Sequence, residues 1–157
     1  FRGNINRVRV LDLPVLLELR LGKTMTKRYV ALLAFEGAYG EIAPPLPDGS
    51  SLVPLGVLEP LWYGTAYALW RDVWGGRRYL AKGMKGGTVG DLQSSLKDLG
   101  YYGQKPSGVF DGKTADAVRA FQRDHFLDED GILGPQTRIV LYQALKRFQM
   151  PTLAGAS

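Results

Sequence analysis

The sequence predicts an α+β protein: a small β-rich unit over residues 1–79, a three-helix module over residues 80–150, and a short tail at 151–157. Three observations lead there. Before Gly83 the apolar residues come in runs of strand length, and after it they recur at helical spacings of three and four. One phrase is said twice, Ser107-Gly108-Val109-Phe110-Asp111-Gly112-Lys113-Thr114 returning 23 positions later as Asp130-Gly131-Ile132-Leu133-Gly134-Pro135-Gln136-Thr137. Such repetition marks a supersecondary unit built more than once, here a turn followed by a helix. Finally, 45% hydrophobic and 11% aromatic residues supply enough apolar surface for packed cores.

The first half reads as strands. Pro14 to Leu21 and Arg28 to Phe35 are Val- and Leu-rich runs, joined through Gly22 to Thr26. Glu36 to Gly40 turns the chain into a third short strand, Tyr39 to Ala43, after which Pro44, Pro45 and Pro47 stop regular pairing. Asp48-Gly49-Ser50 is a loop, Leu55 to Tyr63 either a helical turn or a bent strand, and Tyr67 to Asp72 the final strand. Trp62, Tyr63, Tyr67, Trp70 and Trp74 fit two roles, packing across a small sheet or a sugar-stacking surface.

The second half reads as helices. Thr88 is placed to cap the first, with Asp91 three residues on completing a capping box. Val89, Leu92, Leu96 and Leu99 form its apolar stripe, and Gly100 supplies a left-handed stop. The second helix starts after Asp111, whose carboxylate can cap amides near Thr114, and carries Ala117, Val118 and Phe121 inward. The third starts at Pro135, where a missing N–H costs nothing, and turns Leu141, Ala144, Leu145 and Phe148 inward.

Charge and composition exclude several classes. Residues 1–83 carry 11 Lys/Arg against 7 Asp/Glu, and residues 84–157 carry 9 against 8. The cations are dispersed or sit beside acids, as in Lys97-Asp98 and Arg123-Asp124, which speaks against a nucleic-acid stripe. No apolar run reaches the roughly 18 residues that span a bilayer, so the chain makes no direct membrane insertion. Phe1 in place of an initiator Met predicts a piece of a longer protein. Cysteine is absent, which removes thiolate metal sites and a cysteine nucleophile. The single histidine, His125, lacks the companions a zinc hydrolase site needs, and no cofactor is expected.

The Leu80-x-x-Gly83-x-x-Gly86-x-x-Val89-x-x-Leu92-Gln93 lead-in, Leu99-Gly100-Tyr101-Tyr102, Ala117 to Gln122 and both copies of the repeated phrase together resemble the peptidoglycan-binding domain found beside many cell-wall hydrolases. The resemblance covers residues 80–146 and implies a three-helix bundle whose ligand is the cell-wall polymer. The first half, through Pro14 to Leu19, Arg28 to Leu33 and Leu61-Trp62-Tyr63-Gly64, is similar to the periplasmic end of the general secretion pathway protein A family. That similarity implies a periplasmic piece of an inner-membrane protein of type II secretion, with a secretion-pathway protein as partner. The same half resembles the C-terminal part of a C39-type, papain-like peptidase. There a histidine and an aspartate would act, yet Arg28 stands at the first position and Pro44 at the second.

Arginine stays protonated and cannot serve as the base. With the thiolate also missing, the expectation is a pseudo-peptidase unit with no catalytic residues. Candidate binding residues cluster on the repeated phrase. Backbone N–H groups at the two helix starts suit the carboxylates of wall stem peptides, which selects Gly108, Phe110, Asp111, Thr114, Asp130, Gly131 and Thr137. Tyr101 and Tyr102 are candidate stacking walls, and Gln122 and Arg123 candidate polar contacts, for a groove between segments 101–114 and 128–137. The competing reading of Gly108, Asp111, Gly131 and Thr137 is that they shape turns and caps.

Overall fold

A computed structural model describes residues 1–75, 78–146, 148 and 150–153. The chain divides into two compact units, Phe1–Trp70 joined by the described tail residues 151–153, and Arg71–Met150. The remainder of the predicted tail, residues 154–157, lies outside the described residues.

In the first unit a five-stranded antiparallel sheet has the order β4-β3-β2-β1-β5. The strands are β1 (Val15–Leu21), β2 (Thr26–Glu36), β3 (Tyr39–Ala43), β4 (Leu52–Pro54) and β5 (Trp62–Ala68). Helix α1 (Ile5–Leu11), unforeseen in the sequence reading, begins where the Asn4 side chain accepts the Arg7 N–H at 3.1 Å. It buries Val8 and Leu11, and its Arg9 guanidinium lies 3.9 Å from the Phe35 ring centroid. Val15, Leu17 and Leu19 alternate inward against Leu32, Phe35, Ile42, Val53 and Trp62. Leu153 joins this core, its N–H donated to Asp12 Oδ1 at 3.1 Å, so the tail's described residues belong to the first unit.

Two strand expectations need correction. The final strand runs Trp62–Ala68 rather than Tyr67 to Asp72, because its partner β1 begins at Val15, which lies opposite Ala68. Beyond that residue no ladder remains to extend. Leu52–Pro54, left outside the strands by the sequence reading, pairs with Tyr39 to Glu41 because doing so buries Val53. The 55–63 stretch resolves into α2 (Leu55–Leu58) and a 3-10 turn (Glu59–Leu61) that delivers Trp62 into β5.

The second unit holds α3 (Gly87–Asp98), α4 (Gly112–Asp124) and α5 (Pro135–Ala144). Thr88 and Asp91 lie inside α3 and form no capping box. The helix starts two residues earlier, at Gly87, with the Gly86 carbonyl accepting from Val89 and Gly90 while its own N–H is held by Gly108 O at 2.9 Å. The α5 inner face also differs: Ile139, Val140, Leu141 and Tyr142 are buried along with Arg138, whereas Ala144, Leu145 and Phe148 are half-buried. Leu96 is fully buried, as are Val89 and Leu92 on the same helix. Leu96→Ala is therefore expected to cost about 2–5 kcal/mol through the cavity it leaves, read from urea or thermal unfolding.

Candidate functional site

The repeated phrase folds into two loops built on one plan. Each loop is held by a buried glutamine from the preceding helix. Gln93 accepts the N–H groups of Ser107 and Gly108 at 2.8 and 2.9 Å and donates to Val109 O and Thr114 Oγ1, both at 2.9 Å. Gln122 accepts the Gly131 N–H at 2.9 Å and donates to Asp130 Oδ1, Ile132 O and Thr137 Oγ1 at 2.8, 3.0 and 3.1 Å. Both glutamines are buried, and each converts a polar loop into a rigid one by saturating it from inside. The lead-in threads past both: Gly83 N and Phe110 N bond Phe110 O and Met84 O, and Leu80 exchanges two hydrogen bonds with Leu133.

Glycine is required at the matching positions. Gly108 and Gly131 have φ of +69° and +72°, and an added Cβ would meet Gly86 O at 3.3 Å or the Arg119 guanidinium at 3.0 Å. At the start of α4, Asp111 Oδ1 accepts the Thr114 N–H and hydroxyl, both at 2.8 Å. Those hydrogen bonds hold the Asp111 carboxyl below its ordinary range. The α4 terminus is thus already served by a carboxylate of its own. The α5 terminus has Gly134 and Pro135 and no side-chain cap. It opens on a hollow of about 140 Å³ lined by Gln122, Leu127, Asp128, Asp130, Ile132, Gly134, Pro135, Gln136 and Thr137.

The predicted site residues separate into frame and surface. Tyr102, Phe110, Thr114, Gln122, Gly131 and Thr137 are buried. Tyr102 is only 4% exposed, which corrects its expected place as a stacking wall. Tyr101 is half-buried, edge-on to Phe121 at 5.4 Å, and donates to Asp124 Oδ2 at 3.0 Å. Burial together with that carboxylate pushes its phenol up. Arg123 is exposed and paired with Glu129 at 2.8 Å. His125 stacks on Phe121 at 4.1 Å, at the C-cap of α4.

A single groove between segments 101–114 and 128–137 is replaced by two hollows that share no residue. One is the α5 hollow, which reaches Asp130, Gly134 and Thr137. The other, of about 330 Å³, lies along Tyr101 to Gln104 and Lys113, Asp116, Ala117 and Ala120. Sequence reasoning named Gln122 as a ligand contact and passed over Gln93. The signal was available, since each glutamine directly follows a core residue of the helix before its copy of the phrase, Leu92 in α3 and Phe121 in α4.

The first unit carries a feature that the sequence did not announce. Leu16, Ala31, Leu33, Tyr67 and Leu69 form an apolar cleft of about 510 Å³ with Pro14, Val15 and Pro151. Beside it Glu18 is nearly buried against Arg20 at 2.9 Å and Lys27 at 3.2 Å. Burial alone would push the Glu18 carboxyl up, but Lys27, Arg20 and Tyr29 outweigh it and hold the group low. Of the aromatics in this region, Trp62 is core, while Tyr63 and Tyr67 stay on the surface. Among the described residues no group of three or more His, Cys, Asp or Glu could hold a metal, and no helix is long and apolar enough to cross a membrane.

Residues 85–141 match the family model described as "Putative peptidoglycan binding domain", so the second unit carries a domain of that family. Over 57 residues, 36% of this chain, the sequence is 42% identical to the N-acetylmuramoyl-L-alanine amidase CwlM of Mycobacterium tuberculosis. Over 67 residues, 43% of this chain, it is 40% identical to the spore cortex-lytic enzyme of Bacillus cereus. The chain spans only 14% and 26% of those two relatives. A solved periplasmic domain of the EpsAB fusion protein of the Vibrio vulnificus type II secretion system is 23% identical, with a TM-score of 0.47. That alignment covers 92% of this chain and 62% of the other.

Proposed function

We propose that this chain is a non-catalytic periplasmic module that binds peptidoglycan through its second unit and so anchors a type II secretion assembly protein to the cell wall. The observation that carries the reading is the coincidence of the family match with the clamped loops: residues 85–141 contain both glutamines, both loops and the α5 hollow. The hollow suits the polymer's chemistry. The first turn of α5, which has no side-chain cap, lines it together with Asp128, Asp130 and Gln136. N-acetyl and stem-peptide amides present one acceptor and one donor each, and such a mixed lining can meet both. The secretion assignment is supported by the resemblance of Pro14 to Leu19 and Arg28 to Leu33 to the secretion family.

Hydrolysis is not part of this reading. The chain has no cysteine, and Arg28, on the exposed face of β2, occupies the position where the peptidase resemblance requires histidine. The relatives named for lytic activity are matched over a small share of their length. Incubation with peptidoglycan is expected to release no soluble fragments above a buffer control. Product formation that one substitution abolishes would overturn this.

Sedimentation with purified sacculi tests the binding. Residues 71–150 alone are expected to be retained as well as the full chain. A second reading, a scaffold for a secretion-pathway protein or for self-association, is favoured by the exposed apolar cleft on the first unit. It predicts that residues 1–70 are needed and that what they retain is protein. Failure of residues 71–150 to sediment would turn the function toward that scaffold.

A further inference from the structure

The outward face of the first unit's sheet changes character row by row. Val15, Leu17 and Leu19 point into the core, so Leu16, Glu18 and Arg20 take the other face of β1. Leu16 stands opposite Ala31 and Tyr67, Glu18 opposite Tyr29, and Arg20 opposite Lys27. Successive rows lie about 7 Å apart along the strand. The first row lines the apolar cleft, where Leu16, Leu33, Tyr67 and Leu69 are all exposed, Leu69 at 89%. The third row sets two cations directly against each other, an arrangement that repels. Among the described residues Glu18 is the one carboxylate that pairs with either, and both converge on its Oε1, Arg20 at 2.9 Å and Lys27 at 3.2 Å. A guanidinium carries several N–H donors and an ammonium three, so one carboxylate oxygen leaves both cations with donors to spare. Both side chains also reach solvent, at 31% and 51% exposure.

Two tyrosines join the apolar and cationic rows. The hydroxyls of Tyr29 and Tyr67 approach Glu18 Oε2 at 3.4 and 3.5 Å, and Tyr67 also lines the cleft. A cationic pair therefore stands one carboxylate away from an apolar cleft of about 510 Å³, a volume within the range of small-molecule pockets. The lining decides what fits. Its side chains are apolar apart from the Tyr67 hydroxyl, so a peptide lying there would leave amide groups without partners, whereas a hydrocarbon chain has none to satisfy. Residues 1–70 carry 7 Lys/Arg against 6 Asp/Glu, too even a balance to draw the unit onto an anionic bilayer. We infer that the cleft binds a single-chain amphiphilic anion, a fatty-acid carboxylate, with its hydrocarbon over Leu16, Leu33, Tyr67 and Leu69 and its head group on Lys27 and Arg20. This ligand belongs to the first unit and goes beyond wall binding by the second.

Calorimetric titration of the full chain tests this, with dodecanoate below its micelle concentration as the probe. Dodecanoate is expected to bind one per chain, and octanoate at least about 10-fold more weakly, because fewer methylenes leave water. Dodecyltrimethylammonium, the same chain with a cationic head, should also bind at least about 10-fold more weakly than dodecanoate. Lys27→Gln should weaken dodecanoate by about 5-fold and leave dodecyltrimethylammonium no weaker. Leu69→Ser, at a side chain too exposed to bear on folding, should weaken both by about 3-fold. Both variants should melt within about 2 °C of the parent. Absence of dodecanoate binding by the parent overturns the proposal. Equal binding of the two head groups, or no effect of Lys27→Gln on dodecanoate, removes the head-group site, and no effect of Leu69→Ser removes the chain site. Phosphatidylglycerol vesicles that sediment the chain where dodecanoate fails to bind would make the face a membrane contact. An acetylated peptide of alternating serine and leucine ending in glutamate, if bound more tightly than dodecanoate, would make it a protein contact. Either result overturns the fatty-acid assignment, and sacculus retention by the second unit stands or falls separately.

Discussion

Gln122→Ala is expected to destabilise the second unit by about 3–5 kcal/mol, since each buried polar partner left unsatisfied costs about 1–3 kcal/mol. The side chain is 1% exposed and bonds three groups of the following loop and the Thr137 hydroxyl in the first turn of α5. Removing it strands the Gly131 N–H, in a buried residue, and the Thr137 hydroxyl, 6% exposed, away from any replacement of their own size. Domains of this size are stable by only about 5–15 kcal/mol, so the variant should unfold at markedly lower urea concentration. Gln122→Leu separates the causes. It keeps most of the volume, so whatever loss it shares with Gln122→Ala belongs to the hydrogen bonds. Gln93→Ala should behave alike, because Gln93 serves the first loop through the same kinds of partner. If Gln122→Ala unfolded like the parent, the loop would be held by its backbone alone. Wall binding would then have to be traced to side chains that reach the surface.

That glutamine pair shows where the sequence was legible and where it was not. Repetition of Gly, a β-branched residue, a large apolar residue and Thr announced two equivalent loops, and spacing announced helices behind them. Repetition does not say which way a polar side chain points. A glutamine beside an apolar stripe residue fits an exposed contact as well as an interior clamp, and both glutamines are buried. Tyr102 failed in the same way: it sits in a glycine-punctuated stretch that reads as surface, yet packs inside. Strands β1 and β3 were legible because turn or breaker residues bound them, Pro14 and Gly22 for β1 and Gly37 and Pro44 for β3. Strand β5 was not, because its limits are set by the length of β1, a partner about 50 residues away in the chain. Helix α1 is a single pair of turns, too short for periodicity to stand out, and only Asn4 marked its start.

Asp72→Ala is expected to cost about 3–5 kcal/mol, the cost of breaking a buried ion pair from one side. Arg138 is 1% exposed on α5, and its guanidinium meets the Asp72 carboxylate at close range. The Tyr142 hydroxyl donates to Asp72 Oδ1 at 2.7 Å and accepts the Trp74 N–H at 3.1 Å, while the Trp74 ring stands edge-on to Tyr142 at 5.0 Å. This cluster pins residues 72–74 to α5 and explains why the second unit begins at Arg71, earlier than the change in periodicity suggests. Alanine at position 72 removes the carboxylate that faces a charge held out of water. Arg138→Met should cost less, because it replaces the cation with an apolar chain of similar length and leaves Asp72 partly exposed to water. The double variant should therefore be more stable than Asp72→Ala alone, an outcome that urea unfolding of all four proteins can read. Tyr142 adds an alkaline arm. Burial and its bond to Asp72 push its phenol above the ordinary value of 10.0, so the folded state holds that proton more tightly than the unfolded chain. Its contribution is complete below pH about 10 and is lost as pH rises beyond it, and Tyr142→Phe should flatten that alkaline loss. A double variant no better than Asp72→Ala would show that the guanidinium is well solvated without its carboxylate, and the cluster would then be a surface tie rather than the seam that closes the second unit.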